Sequence, residues 1–318
     1  MKAVSRYSSG NVRVDPALGS VHLFRTLKTF KKDTPRERLD VELVWGEVKL
    51  RFHGDSALDI GDQSVLLAVI EVGQTHLKAC QREACEAGKQ CISEWIGEQT
   101  FDPEADQVLV RTSFGQLARI SRPSVGYGGA SLEAVRQSLK RLAQTTVWQK
   151  HGEIERASQL LAWRISDGKL VELVLNSRLV QALLGNRYRP VNMDERAQVD
   201  GDLAKHIHFM WSCRVSPGKH YSVNVDTLRL HVYGEVASNG AEYTAATIRQ
   251  QRKRVLDAVR SIAALDQWYV RHQGHRIDVT RRARKKDSSS LERRVQIFQS
   301  TATCVPEGEV NSLPGATA

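Results

Sequence analysis

Apolar and polar positions along this chain follow two periods, one helical and one strand-like, and the change of period marks the elements. The clearest helical stretch is Ala241–Ala264 (AEYTAATIRQQRKRVLDAVRSIAA), which follows the turn-like Ser238, Asn239 and Gly240 and holds no Gly or Pro. Ile248, Val255, Leu256, Val259, Ile262 and Ala263 recur every three to four residues and so form one apolar helical stripe. Upstream, Tyr221, Val223 and Val225 alternate as in a strand, and Asp226 is the expected N-cap of a short helix holding Leu228 and Leu230. A turn with Gly234 and Gly240 joins it to the longer helix. Downstream, Trp268–Val270 and Arg276–Val279 read as two strands of a hairpin whose tip is Arg271, His272, Gln273, Gly274 and His275.

The same order is expected earlier in the chain. Leu39–Val44 and Val48–Phe52 read as strands around Trp45 and Gly46, followed by an apolar, N-capped helix over Asp62–Val72. After a short strand, Val108–Arg111, come a short helix over Ser113–Ile120, a loop RPSVGYGG and a second helix over Ser131–Gln144. Thr145–Lys150 and Leu160–Ile165 alternate as strands, with HGEIERASQ as the expected hairpin tip, and Lys169–Leu175 is a third strand before a helix capped by Asn176 and running through Leu184. Helix Asp200–Cys213 opens the second copy. Short helix, longer basic helix and hairpin thus occur twice, with little residue identity between the copies. This predicts an α+β chain of two tandem winged-helix domains, 21–185 and 186–283, between an N-terminal arm, 1–20, and a disordered tail, 284–318, rich in charge, Ser, Pro and Gly.

Composition fits that reading. The 318 residues suit two domains, and a net charge of +10 favours a polyanionic partner. Five cysteines, an odd number, suggest no closed disulfide framework, no apolar run approaches a membrane span, and the polar N-terminus lacks a signal core, so the cytoplasm is the expected location, with no membrane partner. Arg and Gln suit guanine and adenine edges, so the candidate DNA contacts on the 241–264 helix are Thr244, Thr247, Arg249, Gln250, Lys253 and Arg254. Arg271 and Arg276 of the hairpin are candidates for the phosphate backbone, and Arg136 and Lys140 for the first domain.

Other chemistry finds no support in the spacing. His206-Ile207-His208 resembles the metal pair of DNA-nicking enzymes, but on a helix positions two apart point about 200° apart. His76, Cys80, Cys85 and Cys91 match no paired zinc-ligand pattern, and Gly126, Gly128 and Gly129 are not a phosphate loop. No catalytic residue, metal or cofactor is expected, and duplex opening would have to draw on binding energy.

Leu23–Lys28 (LFRTLK), Leu39-Asp40-Val41, Val191–Arg196 (VNMDER), Val215–Lys219 (VSPGK), Val225–Leu228 (VDTL), Ile248–Arg254 (IRQQRKR) and Ile277–Arg281 (IDVTR) follow one another in an order that resembles the replication protein C (RepC) family of IncQ-type plasmids. The resemblance runs from about Val14 to Thr280. It implies a non-enzymatic initiator that binds direct repeats (iterons) in double-stranded origin DNA and promotes opening of an adjacent AT-rich segment. It also implies a plasmid-encoded helicase and primase as partners, with a homodimer left open. The residues alone fit a DNA-binding transcriptional regulator equally; a rolling-circle nicking initiator fits less, because a Tyr-x-x-x-Lys pattern is missing around Tyr188, Tyr221, Tyr243 and Tyr269.

Overall fold

Thirteen consecutive residues, Asp62 through Gln74, are buried. A helix buried on every side belongs inside a core rather than on its surface, and this one, α1 (Ile60–Cys80), is the hub of the first half of the chain. The computed structural model describes residues 10–20, 22–27, 36–80, 108–123, 128–166, 170–185, 187–234 and 242–283, without the side chains of 77–80. The expected tail, 284–318, and the first nine residues of the expected arm lie outside them. The rest of the arm is no loose segment, because Asn11–Val14 form a strand paired with Arg189–Asn192 and Pro16–Gly19 a buried 3-10 turn. Asp62 is not the N-cap that its position in the sequence suggests. The helix starts two residues earlier, where Asp59 and Asp62 each accept the other's backbone N–H at 2.9 Å.

Before α1 come β1 (Asn11–Val14), a 3-10 turn (Pro16–Gly19), β2 (Phe24–Arg25), the hairpin β3 (Leu39–Trp45) and β4 (Val48–Gly54), and β5 (Leu58–Asp59). After it come β6 (Leu109–Ser113), α2 (Phe114–Ser121), α3 (Gly129–Ala143), β7 (Thr146–His151), β8 (Ile154–Gln159), β9 (Leu161–Ser166), β10 (Leu170–Leu175) and α4 (Ser177–Leu184). The second half holds β11 (Arg189–Asn192), α5 (Met193–Gln198), α6 (Gly201–Arg214), β12 (His220–Asn224), α7 (Val225–Tyr233), α8 (Ala245–Ala263), β13 (Trp268–Gln273) and β14 (Arg276–Arg281).

The repeat is visible in the sheets. In one, β10 lies between β6 and β9; in the other, β14 lies between β12 and β13. Each is a strand entered between helices, paired with the second strand of a later hairpin. The first hairpin is therefore β9–β10, and this corrects the sequence expectation. HGEIERASQ is not a tip joining Thr145–Lys150 to Leu160–Ile165: Gly152 turns the chain at φ 58°, and β7 pairs with β8 and β4 in a separate sheet ordered β3-β4-β7-β8. Ile154–Ala157 are exposed, so β8 has no buried face to print an alternating pattern.

Buried apolar side chains form two clusters, one from β1 to α4 and one around Trp211 and Trp268 in the second half. Helix α6 serves both. Phe209 and Cys213 join the first cluster, while Ile207, Met210 and Trp211 join the second. Strand β1 pairs with β11, and the Thr26 N–H donates to the Val232 carbonyl at 3.3 Å. His22 stacks on His231 at 4.9 Å, and Arg214 approaches His231 Nε2 at 3.4 Å. Met1–Arg282 thus make one compact unit.

Two predictions follow from this joint. The 3-10 turn lies so close to α6 that a Cβ on Gly19 would sit 2.3 Å from Cys213 Cβ. Gly19→Ala should cost about 1–3 kcal/mol by overpacking; an unchanged thermal midpoint would show that the turn can retreat from α6. The second concerns pH. Burial, then Arg196, pushes His206 down to about 3, and burial, then Arg214, pushes His231 down to about 4. Both are bases with depressed folded values, so below about 6.5 the unfolded chain binds more protons than the folded one. Stability should therefore fall as pH drops from about 6.5 toward 4, by up to about 1.4 kcal/mol per pH unit for each histidine. Urea unfolding of wild type and His231→Gln between pH 7 and 5 checks it, the variant giving the shallower loss.

Candidate nucleic-acid interface

Helix α8 begins at Ala245, four residues later than its apolar period suggests. Thr244 is its N-cap: the Thr244 Oγ1 accepts the Thr247 N–H at 3.2 Å and lies 2.9 Å from the Thr247 hydroxyl. Two residues picked out as base contacts are thus engaged in starting the helix. Val255, Ala258, Val259 and Ile262 face the core, while Ala263, read as part of the stripe, is exposed. Arg249, Gln250 and Lys253 stand in solvent on one face. Arg254 turns aside toward Tyr233, where it lines a cleft of about 770 Å³ with Asp257 and Ser261.

What fixes α8 in place is a second polar pattern that periodicity cannot show. Arg252 donates Nε and Nη2 to the two carboxylate oxygens of Asp226, both at 2.6 Å, and Arg229 of α7 donates to Gln251 at 3.1 Å inside the helix pair. The Arg252 pair holds the Asp226 carboxyl below the usual carboxylate range. Asp226 is therefore a clamp and not the N-cap of α7. Asn224 performs the capping, accepting the Asp226 N–H at 2.8 Å. An Asn two positions ahead of an Asp offered two candidate caps, and only the backbone decides between them.

The hairpin stands next to this pair. Gly274, at φ 56°, turns β13 into β14, and the His275 carbonyl accepts the Val225 N–H at the start of α7. Arg271 and His272 are strand residues and not part of a loop tip. Arg276, expected on the phosphate backbone, is held by its own sheet: Nε donates to Asp278 at 2.8 Å and Nη2 to Ser222 at 2.9 Å. The hydrogen bonds from Ser222 and Arg276 keep Asp278 below its ordinary carboxylate range. Sequence reasoning passed over Asp278, and with it this local neutralisation. Arg271 is exposed, directly across from Asp278 in the ladder, and Tyr269 on the same strand is 57% exposed.

In the first half, Lys140 is exposed on α3, and the Arg136 guanidinium lies 5.5 Å over the Phe114 ring. Arg141 beside them faces inward to Asp62, with Nη2 at 2.7 Å from its carboxylate. A row across the first sheet was not anticipated. Arg111 and Arg164 both donate to Glu172, at 3.0 and 2.7 Å. Arg164 pairs with Glu172 two positions back from the last ladder pair of its hairpin, as Arg271 pairs with Asp278 in the other. The two hairpins thus carry an Arg opposite an acid at the same register step.

The remaining candidates sit apart from these surfaces. His206 and His208 lie on helix α6 and serve different neighbours: Nδ1 of His206 meets Gln63 at 3.0 Å, and Nε2 of His208 meets Glu195 at 3.1 Å. Glu195 also accepts the Trp268 indole N–H at 2.9 Å. Cys85, Cys91 and Gly126 fall outside the described residues, and among the described residues no His, Cys, Asp and Glu group could hold a metal ion. No helix among them is long and apolar enough to cross a membrane.

No curated protein matches the chain. Among solved structures it is similar to the crystal structure of selenomethionine derivatives of domains 2 and 3 of RctB, with a TM-score of 0.50 at 10% identity over 84% of this chain and 99% of that one. At that identity the likeness is one of fold. The replication protein C family matches residues 7–282, which takes in α8, both hairpins and the joint between the halves. The chain belongs to the replication protein C (RepC) family.

Proposed function

We propose that this replication protein is an origin-binding initiator whose two halves are winged helices. In this reading α3 and α8 are the recognition helices, and β9–β10 and β13–β14 are the wings. The observation that carries it is α8: a helix clamped to α7 through Arg252–Asp226 and Gln251–Arg229 that leaves Arg249, Gln250 and Lys253 side by side in solvent near its N-terminal half. In a helix-turn-helix the N-terminal residues of the second helix reach base edges. The twice-repeated order of elements supports two such units per chain. Two recognition helices on one face meet successive major grooves roughly 34–36 Å apart, which suits direct repeats of about two turns.

The role assigned to the chain is binding without catalysis, in the cytoplasm. Unstacking DNA costs a few kcal/mol, and several protomers on adjacent repeats supply it together. Helicase and primase then come from other plasmid-encoded proteins.

The test is a footprint on the parent plasmid's origin, followed by competition binding at fixed salt to repeats carrying single base-pair changes. Gln250→Ala should remove about 1–3 kcal/mol of preference at one base pair and leave non-specific affinity nearly intact. If neither Arg249→Ala nor Gln250→Ala alters preference anywhere, α8 is a structural helix and the reading fails. A separate salt titration addresses the wing. Arg271→Ala should weaken binding to all sequences and flatten the slope of log K against log salt by about 0.9. Arg276→Ala should flatten it less, because Asp278 already holds that side chain.

A further inference from the structure

The two DNA-facing helices are each carried by a helix buried on all sides, and one charged residue sits where the carriers meet. Helix α3 packs on α1, α8 packs on α6, and α1 touches α6. Arg196 of α5 lies at that junction, 4% exposed. Its guanidinium donates to Gln63 Oε1 at 3.0 Å and Ser64 Oγ at 2.9 Å on α1, and to the Lys205 carbonyl on α6. Gln63 works at both ends, since its amide N–H donates to His206 Nδ1 at 3.0 Å. That bond requires a neutral His206 with its proton on Nε2, and Nε2 is buried without a hydrogen-bond partner.

Every acceptor Arg196 uses is neutral. A buried cation without a carboxylate among its hydrogen-bond partners makes the joint less stable than a well-packed apolar contact of the same shape would. What the network supplies is direction. Guanidinium N–H groups form a rigid planar fork, and acceptors on two different helices must both lie in its reach. Shifting α1 along α6 by a single residue, about 1.5 Å, would break the set. Burial draws the Arg196 guanidinium down to about 9, so it remains charged at neutral pH.

We propose that the Arg196–Gln63–His206 bridge is the positioning device that sets the distance and twist between α3 and α8, and thereby the spacing of DNA contacts the chain accepts. The proposal rests on the reading that both halves face DNA. One inserted base pair moves the next groove by about 3.4 Å and turns it by roughly 34°, a mismatch that a fixed joint cannot follow and a loosened one can.

The experiment selects the preferred site of the full chain from a random duplex library, footprints it, and inserts one or two base pairs between the protected blocks. Wild type should lose at least about tenfold in affinity on a single insertion. Gln63→Leu, which removes both of its bonds, should bind the original site within about threefold of wild type and lose less than about threefold on the insertion. Arg196→Lys keeps the charge without the fork and should broaden spacing in the same way. If Gln63→Leu does not fold, Ser64→Ala removes one acceptor and should still shift the ratio. A folded variant with wild-type spacing preference overturns the proposal while the two-half reading stands. A wild-type footprint of one block overturns that reading, and the spacing role with it.

Discussion

The constraint on which this fold depends is the burial of α1 from Asp62 through Gln74. Its apolar residues, from Val65 to Val72, need neighbours on every side, and the chain supplies strands β1 and β6, helices α2, α3 and α4, and α6 from the second half. Its polar residues then decide where those neighbours sit, because an unpaired polar group in such a place is costly. Asp62 takes Arg36 and Arg141, Gln63 takes Arg196 and His206, and Gln74 exchanges hydrogen bonds with the backbone of β1. The helix is thus a register for five separate segments. Dispersion and apolar burial give the driving force, and three polar residues, two in the first turn and one about three turns later, give the addresses.

The same division of labour sorts the charges on the surface. A net charge of +10 says that a polyanion is favoured, but not where. The structure separates basic residues that hold the fold from those presented outward. Arg252 is committed to Asp226, Arg141 to Asp62 and Arg276 to Asp278, while Arg249, Lys253, Arg271 and Lys140 are exposed. Arg249 and Lys253 flank Arg252 on α8 and Lys140 adjoins Arg141 on α3, whereas Arg271 stands on β13, across the ladder from the Asp278 that holds Arg276 on β14. Lys140 thus sits on a helix pinned by a salt-bridged arginine, and Arg271 on a strand paired with one that carries such an arginine.

Much of this was legible in the sequence, and the failures have physical causes. Helices with one apolar face, such as α8 and α4, announce themselves by period, and Asn176 reads as a cap from its place just ahead of the α4 stripe. The start of α8 was misplaced by four residues because Glu242 and Tyr243 are compatible with a helix and only the Thr244 backbone excludes it. Helix α1 was recognised, but its central place was not: a run buried on all sides has no amphipathic signature to report its surroundings. Strand β8 prints no strand pattern for the opposite reason, since most of its residues meet solvent. The candidate site was legible in residue type and not in role. Thr244, Arg254 and Arg276 have the right chemistry for DNA, and their commitments are set by backbone geometry for the Thr244 cap, by the distant Tyr233 for Arg254, and for Arg276 by the distant Ser222 together with the nearby Asp278.

The joint between the halves brings these points together. A chain with two independent DNA-binding units would need only a linker, and α6 would then keep one face polar. Instead His206 through Cys213 are all buried, with one side of the helix completing each core. Sharing a helix couples the folding of the halves and removes their freedom to rotate, which for a bidentate ligand cuts the entropy lost on binding. The cost is a junction filled with histidines and arginines, His22, His206, His231, Arg196 and Arg214, in place of an apolar seam. Such groups can be packed together only while His206 and His231 stay neutral and each guanidinium finds its acceptors. A seam of that kind tolerates one arrangement, where an apolar seam would tolerate several.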